Sequence, residues 1–280
     1  MVFEVFWGIL KMTEQPRIFI GVPTGYPKLY STYYMLASLA NLDYPNVDVH
    51  WAVTGGNDSR FNDFRNRLTQ LVGAVKWREG WSSTIHYVPL TDEQIRTPYG
   101  PILENKNVLR QAFLDSDCTH FLLLGGDNPP PRDAINKLLA LDAGVAMGTC
   151  YQRPGVVDCG VYPLVWRYLY SLKEIDDSDA DPVNKRLMKK AWLVVPRTVS
   201  VSCDRDFQKQ TVIWDVCGGD GCALIKRKVL EDIDWATPPP ESAASSEDMY
   251  FMSSALYYGY STACLPQMHV AHMSESGLGV

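Results

Sequence analysis

The sequence predicts an α/β fold: a single domain built on one mostly parallel sheet flanked by helices. Short apolar runs, typical of buried strands, alternate three times with segments whose apolar residues recur at helical spacing. Three of these runs end in stretches rich in Gly, Pro, Asn and Asp, which favour turns. The 280 residues are enough for a substantial core, and 46% hydrophobic with 21% charged residues is ordinary for a globular protein.

The first half of the chain supplies the alternating strands and helices. Apolar side chains at one helical face, as in Phe61, Phe64, Leu68 and Leu71, justify each helix, and Ser31 or Thr32 is expected to cap the first one. The predicted strands are 17–23, 47–56, 84–90 and 119–128, and the predicted helices are 30–42, 60–72 and 105–115. Ligands of parallel sheets bind beyond the carboxyl ends of the strands, so we expect the loops PTGYP, TGGNDS and GGDNPPP to line a site.

The second half has a different character. A helix at 133–143 and a strand at 144–152 precede a charged segment, 153–210, with weak periodicity, which we expect to be irregular. Residues 212–233 indicate a strand, a glycine turn, a strand and a helix. A Pro/Ser loop then leads into a helix near Glu247, and 262–273 is the last predicted strand.

Composition and missing motifs exclude several functions. The net charge of −6 disfavours a nucleic-acid binder. No apolar run reaches the roughly 20 residues of a membrane span. GxGxxG after the first strand, GK[ST] after a glycine loop and GxSxG do not occur, which disfavours dinucleotide dehydrogenases, P-loop NTPases and α/β-hydrolases. Seven scattered cysteines without a signal peptide indicate a reducing, cytoplasmic compartment.

The opening stretch MVFEVFWGILKM is apolar but has no basic start and no small-residue cleavage site, so it is a poor signal peptide. Three interpretations stay open: an extension before a start at Met12, a packed segment, and a short amphipathic segment at a membrane surface. We treat 1–13 as an N-terminal extension, and a peripheral membrane location stays open with the third interpretation.

Acidic residues and a histidine stand where strands end and a helix begins. Asp127 follows the fourth strand, Glu247 and Asp248 open a helix, and His272 closes the last strand. A carboxylate with an imidazole can hold a divalent ion, and a separate carboxylate can serve as a general base. Structural roles compete with these: Asp127 as a turn residue, Asp248 in a capping box with Ser245, and His272 as a strand-end residue.

Taken in order, four motifs resemble those of GT-A fold glycosyltransferases, similar to the inverting family 2 and its relatives. IGVPTGYP resembles the family's first strand and nucleotide-contacting loop, and THFLLLGGDNPPP its metal-motif strand. DVCGGDGCALIKRKVLEDI resembles the acceptor-side glycine turn, and SSEDMYF the Glu-Asp motif that supplies the base. The resemblance covers roughly 17–272. It implies transfer of a sugar from a UDP- or GDP-sugar to an acceptor hydroxyl, with inversion and assistance from Mn²⁺ or Mg²⁺.

The resemblance also assigns residues. Asp248 would be the catalytic base, and Asp127 with His272 would ligate the metal. The nucleotide sugar would contact Pro23, Thr24, Gly25, Asp58, Lys106, Asn107, Gly126 and Asp127. The acceptor side would include Trp214, Asp215, Gly218, Gly219 and Glu247, although core packing explains a tryptophan at 214 equally well. The acceptor is a glycan, a lipid-linked group or a protein. The nucleotide-sugar half would be 14–128, and the acceptor and catalytic half 129–280.

One position departs from the family pattern. Gly125 stands where the first of two acidic residues of the metal motif is expected, so the divalent metal is in doubt. Gly125 and Gly126 are expected to let the backbone approach the donor closely. Two alternatives therefore stay open: a non-catalytic nucleotide-sugar-binding protein on a decayed GT-A scaffold, and a sugar nucleotidyltransferase.

Overall fold

The computed structural model describes the chain in several stretches. They are residues 15–152 apart from 57 and 98, the short strands 162–163, 166–168 and 198–200, residues 211–274 apart from 220, 240, 241, 243 and 245, and residues 277–279. The predicted N-terminal extension and most of the segment 153–210 lie outside them.

The described elements alternate between strand and helix through the first half. The larger strands are β1 (Ile18–Gly25), β2 (Val47–Gly55), β3 (Ser82–Pro89), β4 (His120–Leu124) and β5 (Val145–Gln152). The helices are α1 (Leu29–Ala40), preceded by a 3-10 turn at Tyr26–Lys28, α2 (Ser59–Ala74), α3 (Asp92–Arg96), α4 (Gly100–Leu114) and α5 (Ala134–Leu139).

The second half adds short strands and two helices. The strands are β6 (Tyr162–Pro163), β7 (Trp166–Tyr168), β8 (Thr198–Ser200), β9 (Ile213–Trp214), β10 (Val216–Gly218), β11 (Cys222–Lys226), β12 (Thr262–Val270), β13 (His272–Ser274) and β14 (Gly277–Gly279). The helices are α6 (Arg227–Asp232) and α7 (Glu247–Tyr257).

The central sheet has the strand order β3-β2-β1-β4-β11-β5-β12-β9. β1, β2, β3 and β4 pair in parallel, as do β5 and β12, while β11 runs antiparallel between β4 and β5. This confirms the predicted α/β class with a mostly parallel sheet. Among the described residues, no helix is long and apolar enough to cross a membrane.

Helices cover both faces of the sheet, each over its own apolar core. Ile18, Ile20 and Val22 of β1 face the core formed with α1, α2 and α5, whereas Phe19 faces the core formed with α4, α6 and α7. Alternate residues of one strand point to opposite faces, so both faces of β1 must be apolar. The continuous apolar runs in the sequence therefore mark strands buried on both sides.

Several element bounds differ from the prediction: the strand predicted at 119–128 ends at Leu124, and the helix predicted at 133–143 ends at Leu139. Helix α4 begins at Gly100, five residues before the predicted start at 105, because Pro101 lies in the first turn, where a missing N–H costs nothing. Helix α1 begins at Leu29 with Lys28 as its N-cap, so the prediction that Ser31 or Thr32 caps it was wrong. Helix α3, which was not predicted, starts with a capping box between Thr91 and Gln94.

Candidate active site

The loops predicted to share one edge of the sheet do so. Because β1, β2 and β4 are parallel, the chain leaves them at the same edge, which we call the carboxyl-end edge. The antiparallel β11 starts at this edge, with Cys222 opposite Leu124. The glycines just before β11 (Gly218, Gly219 and Gly221, the glycine segment) therefore lie beside the loop that follows β4.

Residues Gly125 to Asn128, the GGDN turn, are fastened by three other segments of the chain. The Gly125 N–H donates to the Gly221 carbonyl at 3.0 Å, and the Asn128 N–H closes the turn on the Gly125 carbonyl at 2.8 Å. The Ser31 hydroxyl in α1 donates to the Gly126 carbonyl at 2.8 Å. The Asn128 side-chain amide donates to the Ala271 carbonyl at 3.2 Å. The turn is therefore held in one geometry.

The two glycines of this turn make room for the protein itself. A Cβ at Gly126 would lie 3.0 Å from the Pro23 carbonyl oxygen, and a Cβ at Gly125 would lie 2.1 Å from Asn128 Oδ1. A glycine at 125 thus has a packing reason, in addition to the expected approach of a donor. The acidic residue of the family motif would not fit at 125 unless Asn128 moved.

The Asp127 side chain is buried, 6% exposed, and its described contacts converge on one oxygen. The Lys28 ammonium forms an ion pair with Oδ2, and His272 Nε2 lies 3.4 Å from the same oxygen. The Tyr30 hydroxyl lies 3.3 Å from Oδ2 and 3.1 Å from the Met273 carbonyl oxygen, and its one proton is shared between them. The Asp127 carbonyl also accepts from the Met273 N–H at 2.9 Å, which ties the start of β13 to the turn. The predicted proximity of Asp127 and His272 is therefore present.

Lys28 and Tyr30 were not among the predicted site residues. Both stand in PTGYPKLY, directly after β1, and the 3-10 turn at Tyr26–Lys28 points Lys28 toward the neighbouring strand's loop. A signal was present, since a lone lysine followed the loop already assigned to the nucleotide. The parallel pairing of β1 with β4 makes it face Asp127.

The residues around Asp127 fit a divalent metal poorly. Asp127 and His272 offer two ligand atoms 3.4 Å apart, but the Lys28 ammonium already contacts the same carboxylate oxygen. A metal ion there would compete with a cation of the same sign at a site with one carboxylate. Position 125 cannot supply the second carboxylate without a rearrangement. We therefore assign no chemical step to a metal at this edge.

A second acidic group lies at the opposite, amino-end edge of the sheet. Asp48, Asp117 and Cys118 offer ligand atoms within 4.8 Å of one another, a geometry that could hold a metal ion. Arg17, however, contacts Asp48 Oδ2 through Nε at 2.8 Å and Asp117 Oδ1 through Nη1 at 3.1 Å. Burial raises the pKa of the Cys118 thiol to about 11, which opposes the thiolate that a metal requires. We call Arg17, Asp48, Asp117 and Cys118 the amino-end cluster.

Asp248, the predicted base, lies at the first turn of α7 beside the glycine segment. Its Oδ2 accepts from the Gly219 N–H at 3.3 Å, and the Ser246 hydroxyl donates to its Oδ1. Ser246 is the N-cap residue of the helix, but its side chain makes no capping bond. These two donors orient the carboxylate. Asp248 is half-buried, so it also remains accessible to solvent.

Lys106 and Glu247, predicted on the nucleotide and acceptor sides, contact each other. Lys106 Nζ lies 3.1 Å from Glu247 Oε1, and the two side chains are 4% and 12% exposed. The ammonium also lies 5.8 Å from the centre of the Trp235 ring. The pair joins the middle of α4 to the start of α7, next to Asp248.

The other predicted residues occupy varied places. Asp58 caps α2 by accepting from the Phe61 N–H at 2.8 Å, and the Asn107 side chain exchanges two hydrogen bonds with the Trp235 backbone. Their roles toward a nucleotide stay predictions. Pro23, Thr24 and Gly25 end β1, Trp214 and Asp215 are exposed, Gly218 and Gly219 are buried, and both Asp215 and Gly219 have positive φ angles.

Asn105 is a further residue that sequence reasoning missed. Its side-chain amide donates to the Thr24 carbonyl and to the Thr54 hydroxyl, both at 3.0 Å, and so ties together the ends of β1 and β2. Its neighbour Lys106 was predicted, and the extra turns of α4 place Asn105 inside the helix with 3% of its surface exposed.

Several solved structures are similar to this chain. S. aureus TarS 1–349 in complex with UDP-GlcNAc is 13% identical over 91% of this chain and 57% of that chain, with a TM-score of 0.46. The mannosyltransferase PcManGT from Pyrobaculum calidifontis, in complex with GDP-Man and Mn²⁺, is 14% identical over 92% of this chain and 57% of that chain, with a TM-score of 0.49. A197 from STIV is 17% identical over 92% of this chain and 86% of that chain, with a TM-score of 0.43.

This chain spans less than two thirds of the first two proteins. At these identities and TM-scores the likeness shows neither a ligand nor an activity for this chain. No protein-family model and no curated protein matches the chain.

Proposed function

We propose that the protein is a glycosyltransferase that moves a sugar from a nucleotide-sugar donor to an acceptor hydroxyl, with inversion at the transferred carbon. One observation carries the proposal. The GGDN turn is hydrogen-bonded to Gly221, and the same glycine segment holds Asp248 through the Gly219 N–H. A carboxylate held in an ion pair and a reachable carboxylate therefore flank one backbone segment at the ligand-binding edge of the sheet.

The two carboxylates would divide the work. Asp127 and its partners would lie by the diphosphate of the donor, a UDP- or GDP-sugar, with the nucleoside over the ends of β1 and β2 near Pro23, Thr24, Gly25 and Asp58. Asp248 would accept the proton of the acceptor hydroxyl as its oxygen attacks the anomeric carbon from the face opposite the leaving diphosphate. Attack from that face inverts the configuration.

The acceptor would approach from the side of α7. Glu247, held by Lys106, would line that approach. Trp214 pairs with Ala263, and the Asp215 N–H donates to the Thr262 carbonyl, so both exposed residues lie by the start of β12, toward the amino-end edge. A hydroxyl of a glycan, of a lipid-linked group or of a protein would serve the same chemistry.

The substitution Asp248→Asn tests the proposal. Asparagine keeps an acceptor for Gly219 but cannot take up the proton, so turnover should fall by about 10²–10⁴-fold, with donor affinity nearly unchanged. The assay measures release of nucleoside diphosphate from a panel of UDP- and GDP-sugars with mixed acceptors. Asp115→Asn, at the exposed end of α4 on the opposite edge, is the matched control and should keep full turnover. Normal turnover in Asp248→Asn would remove this residue from the mechanism.

A non-catalytic donor-binding protein is the second candidate. The observation that favours it is Gly125, where Asn128 fills the space of the missing carboxylate. Binding of UDP or GDP by the wild-type protein, with no transfer and no hydrolysis of any donor in the panel, would favour this candidate over the enzyme.

A further inference from the structure

Lys28 places an ammonium on the carboxylate that the sequence resemblance assigns to a metal. The Asp127 side chain is buried, and the Lys28 side chain is 38% exposed, so part of it is in contact with solvent. An ammonium has three N–H donors. The described contact uses one of them, on Asp127 Oδ2, which leaves room for phosphate oxygens on the exposed side.

The backbone around Lys28 is fixed before any ligand arrives. The Thr32 hydroxyl donates to the Lys28 carbonyl at 3.2 Å, and the Ser31 hydroxyl, which has one proton to share, lies 2.8 Å from both the Lys28 and the Gly126 carbonyl oxygens. Lys28 is the N-cap residue of α1, so the positive end of that helix adds to its charge. The lysine, the helix start and the GGDN turn therefore form one unit.

We propose that the Lys28 ammonium, held by Asp127, binds the donor's diphosphate and takes the place of a divalent metal, so that donor binding and transfer are metal-independent. This inference rests on the proposed function. Its support is the ion pair at the carboxylate that a metal would use, together with the glycine at 125, which supplies no second carboxylate.

The bonds, the electron pair and the proton are accounted for without a metal. As the acceptor oxygen bonds to the anomeric carbon, the bond from that carbon to the diphosphate oxygen breaks and its electron pair stays on the diphosphate. The acceptor proton goes to Asp248. Lys28 would donate hydrogen bonds to the developing negative charge, and charge-assisted bonds of this kind are among the stronger ones in proteins. His272 and Tyr30, which contact Asp127, would hold the carboxylate in place.

The test is titration calorimetry with UDP and with GDP, each in EDTA and in Mn²⁺. The wild-type protein should bind one of them with the same Kd in both solutions, and Lys28→Met should weaken that Kd by about 10- to 100-fold. Lys28→Arg should keep most of the affinity. Lys228→Met, an exposed lysine of α6 at the amino-end edge, is the matched control and should bind like wild type.

A double variant distinguishes a direct contact between Lys28 and the diphosphate from a role in which Lys28 only neutralises the Asp127 carboxylate. Lys28→Met alone leaves the Asp127 carboxylate uncompensated, and its repulsion of the diphosphate would weaken binding even if Lys28 never touched the ligand. Lys28→Met with Asp127→Asn removes that repulsion and also avoids a buried unpaired charge that could unfold the protein. Weak binding in the double variant supports direct contact, and recovery to the wild-type Kd would overturn it.

The remaining outcomes also discriminate. Binding that requires Mn²⁺ and that Lys28→Met leaves intact would overturn the inference while the proposed function stands. If the wild-type protein binds neither UDP nor GDP in any solution, the proposed function itself fails and this inference fails with it.

Discussion

Both edges of the sheet hold a buried aspartate beside a cation, but the two carboxylates are satisfied to different extents. At the amino-end edge, Arg17 donates to both oxygens of Asp48, from Nε to Oδ2 at 2.8 Å and from Nη2 to Oδ1 at 3.1 Å. Ser82 donates to Oδ1 at 2.6 Å. At the carboxyl-end edge, the described side-chain contacts of Asp127 all fall on Oδ2.

The cations beside the two carboxylates also differ in how many of their donors the carboxylate occupies. The planar guanidinium of Arg17 matches the shape of a carboxylate and suits a fixed structural pair, whereas the ammonium of Lys28 is a compact charge that can share its donors with a second anion. The amino-end cluster thus has ligand atoms spaced closely enough for a metal ion, yet Arg17 already contacts both oxygens of Asp48. The carboxylate whose described side-chain contacts fall on one oxygen lies at the edge where parallel sheets bind ligands.

The largest change in stability that would test this contrast between the two edges is expected from Arg17→Met. It leaves the buried Asp48 without its cation, so the free energy of unfolding should fall by about 2–3 kcal/mol, less than for a fully buried pair because Arg17 is half exposed. The affinity for UDP or GDP should not change. Urea unfolding and titration calorimetry measure the two quantities.

Lys137→Met is the control for charge loss alone. Lys137 pairs with Asp133 on the surface of α5, and such exposed pairs contribute about 0–1 kcal/mol. An Arg17→Met protein as stable as Lys137→Met would mean that the amino-end cluster is not a structural pair, and a metal at Asp48 would need to be considered again.

The next largest effect is expected from Gly125→Ala in the GGDN turn. The added Cβ would lie 2.1 Å from Asn128 Oδ1, so either Asn128 or the turn must shift, at a cost of about 1–2 kcal/mol in unfolding free energy. Chemical denaturation measures it. Gly73→Ala in α2 is the matched control: its Cβ would meet nothing within 4 Å, and alanine in a helix should raise stability by about 0.5–1 kcal/mol.

Asn128→Ala provides the second arm of this test. In that background the obstructing oxygen is absent, so Gly125→Ala should cost much less, and the difference is the coupling energy between the two positions. Equal costs in both backgrounds would show that Asn128 is not what forbids a side chain at 125, and the argument against a second carboxylate there would be lost.

The fold was predictable because its signals are local. Apolar runs such as FLLL and IFIGV mark strands whichever neighbours they pair with, and strands alternating with helices imply a parallel sheet. The antiparallel insertion of β11 between β4 and β5 has no such signal, since strand order depends on long-range packing. The early start of α4 at Gly100 followed from Pro101, which the apolar pattern alone does not use.

The candidate site was predictable only in part for the same reason. Asp127, Asp248 and His272 stand in motifs, so a resemblance could propose them. Lys28 gains its meaning only when parallel pairing places it opposite Asp127, 99 residues away in the sequence. The pairing of Lys106 with Glu247 spans 141 residues, so neither could be seen as the other's partner from spacing.

The smallest expected effect concerns acid. Burial alone would raise the pKa of Asp48, but the hydrogen bonds from Ser82 and Arg17 and the charge of Arg17 hold it below its ordinary value. A depressed pKa in the folded state gives stability that is present above the unfolded pKa of about 3.9 and is lost as the pH falls through the folded value.

The difference in unfolding free energy between wild type and Asp48→Asn should thus be constant near neutral pH. It should shrink below about pH 4, by at most about 1.4 kcal/mol per pH unit for one proton. Urea unfolding at a series of pH values measures it, and a difference that grows in acid would mean that Asp48 is not ionised in the folded cluster.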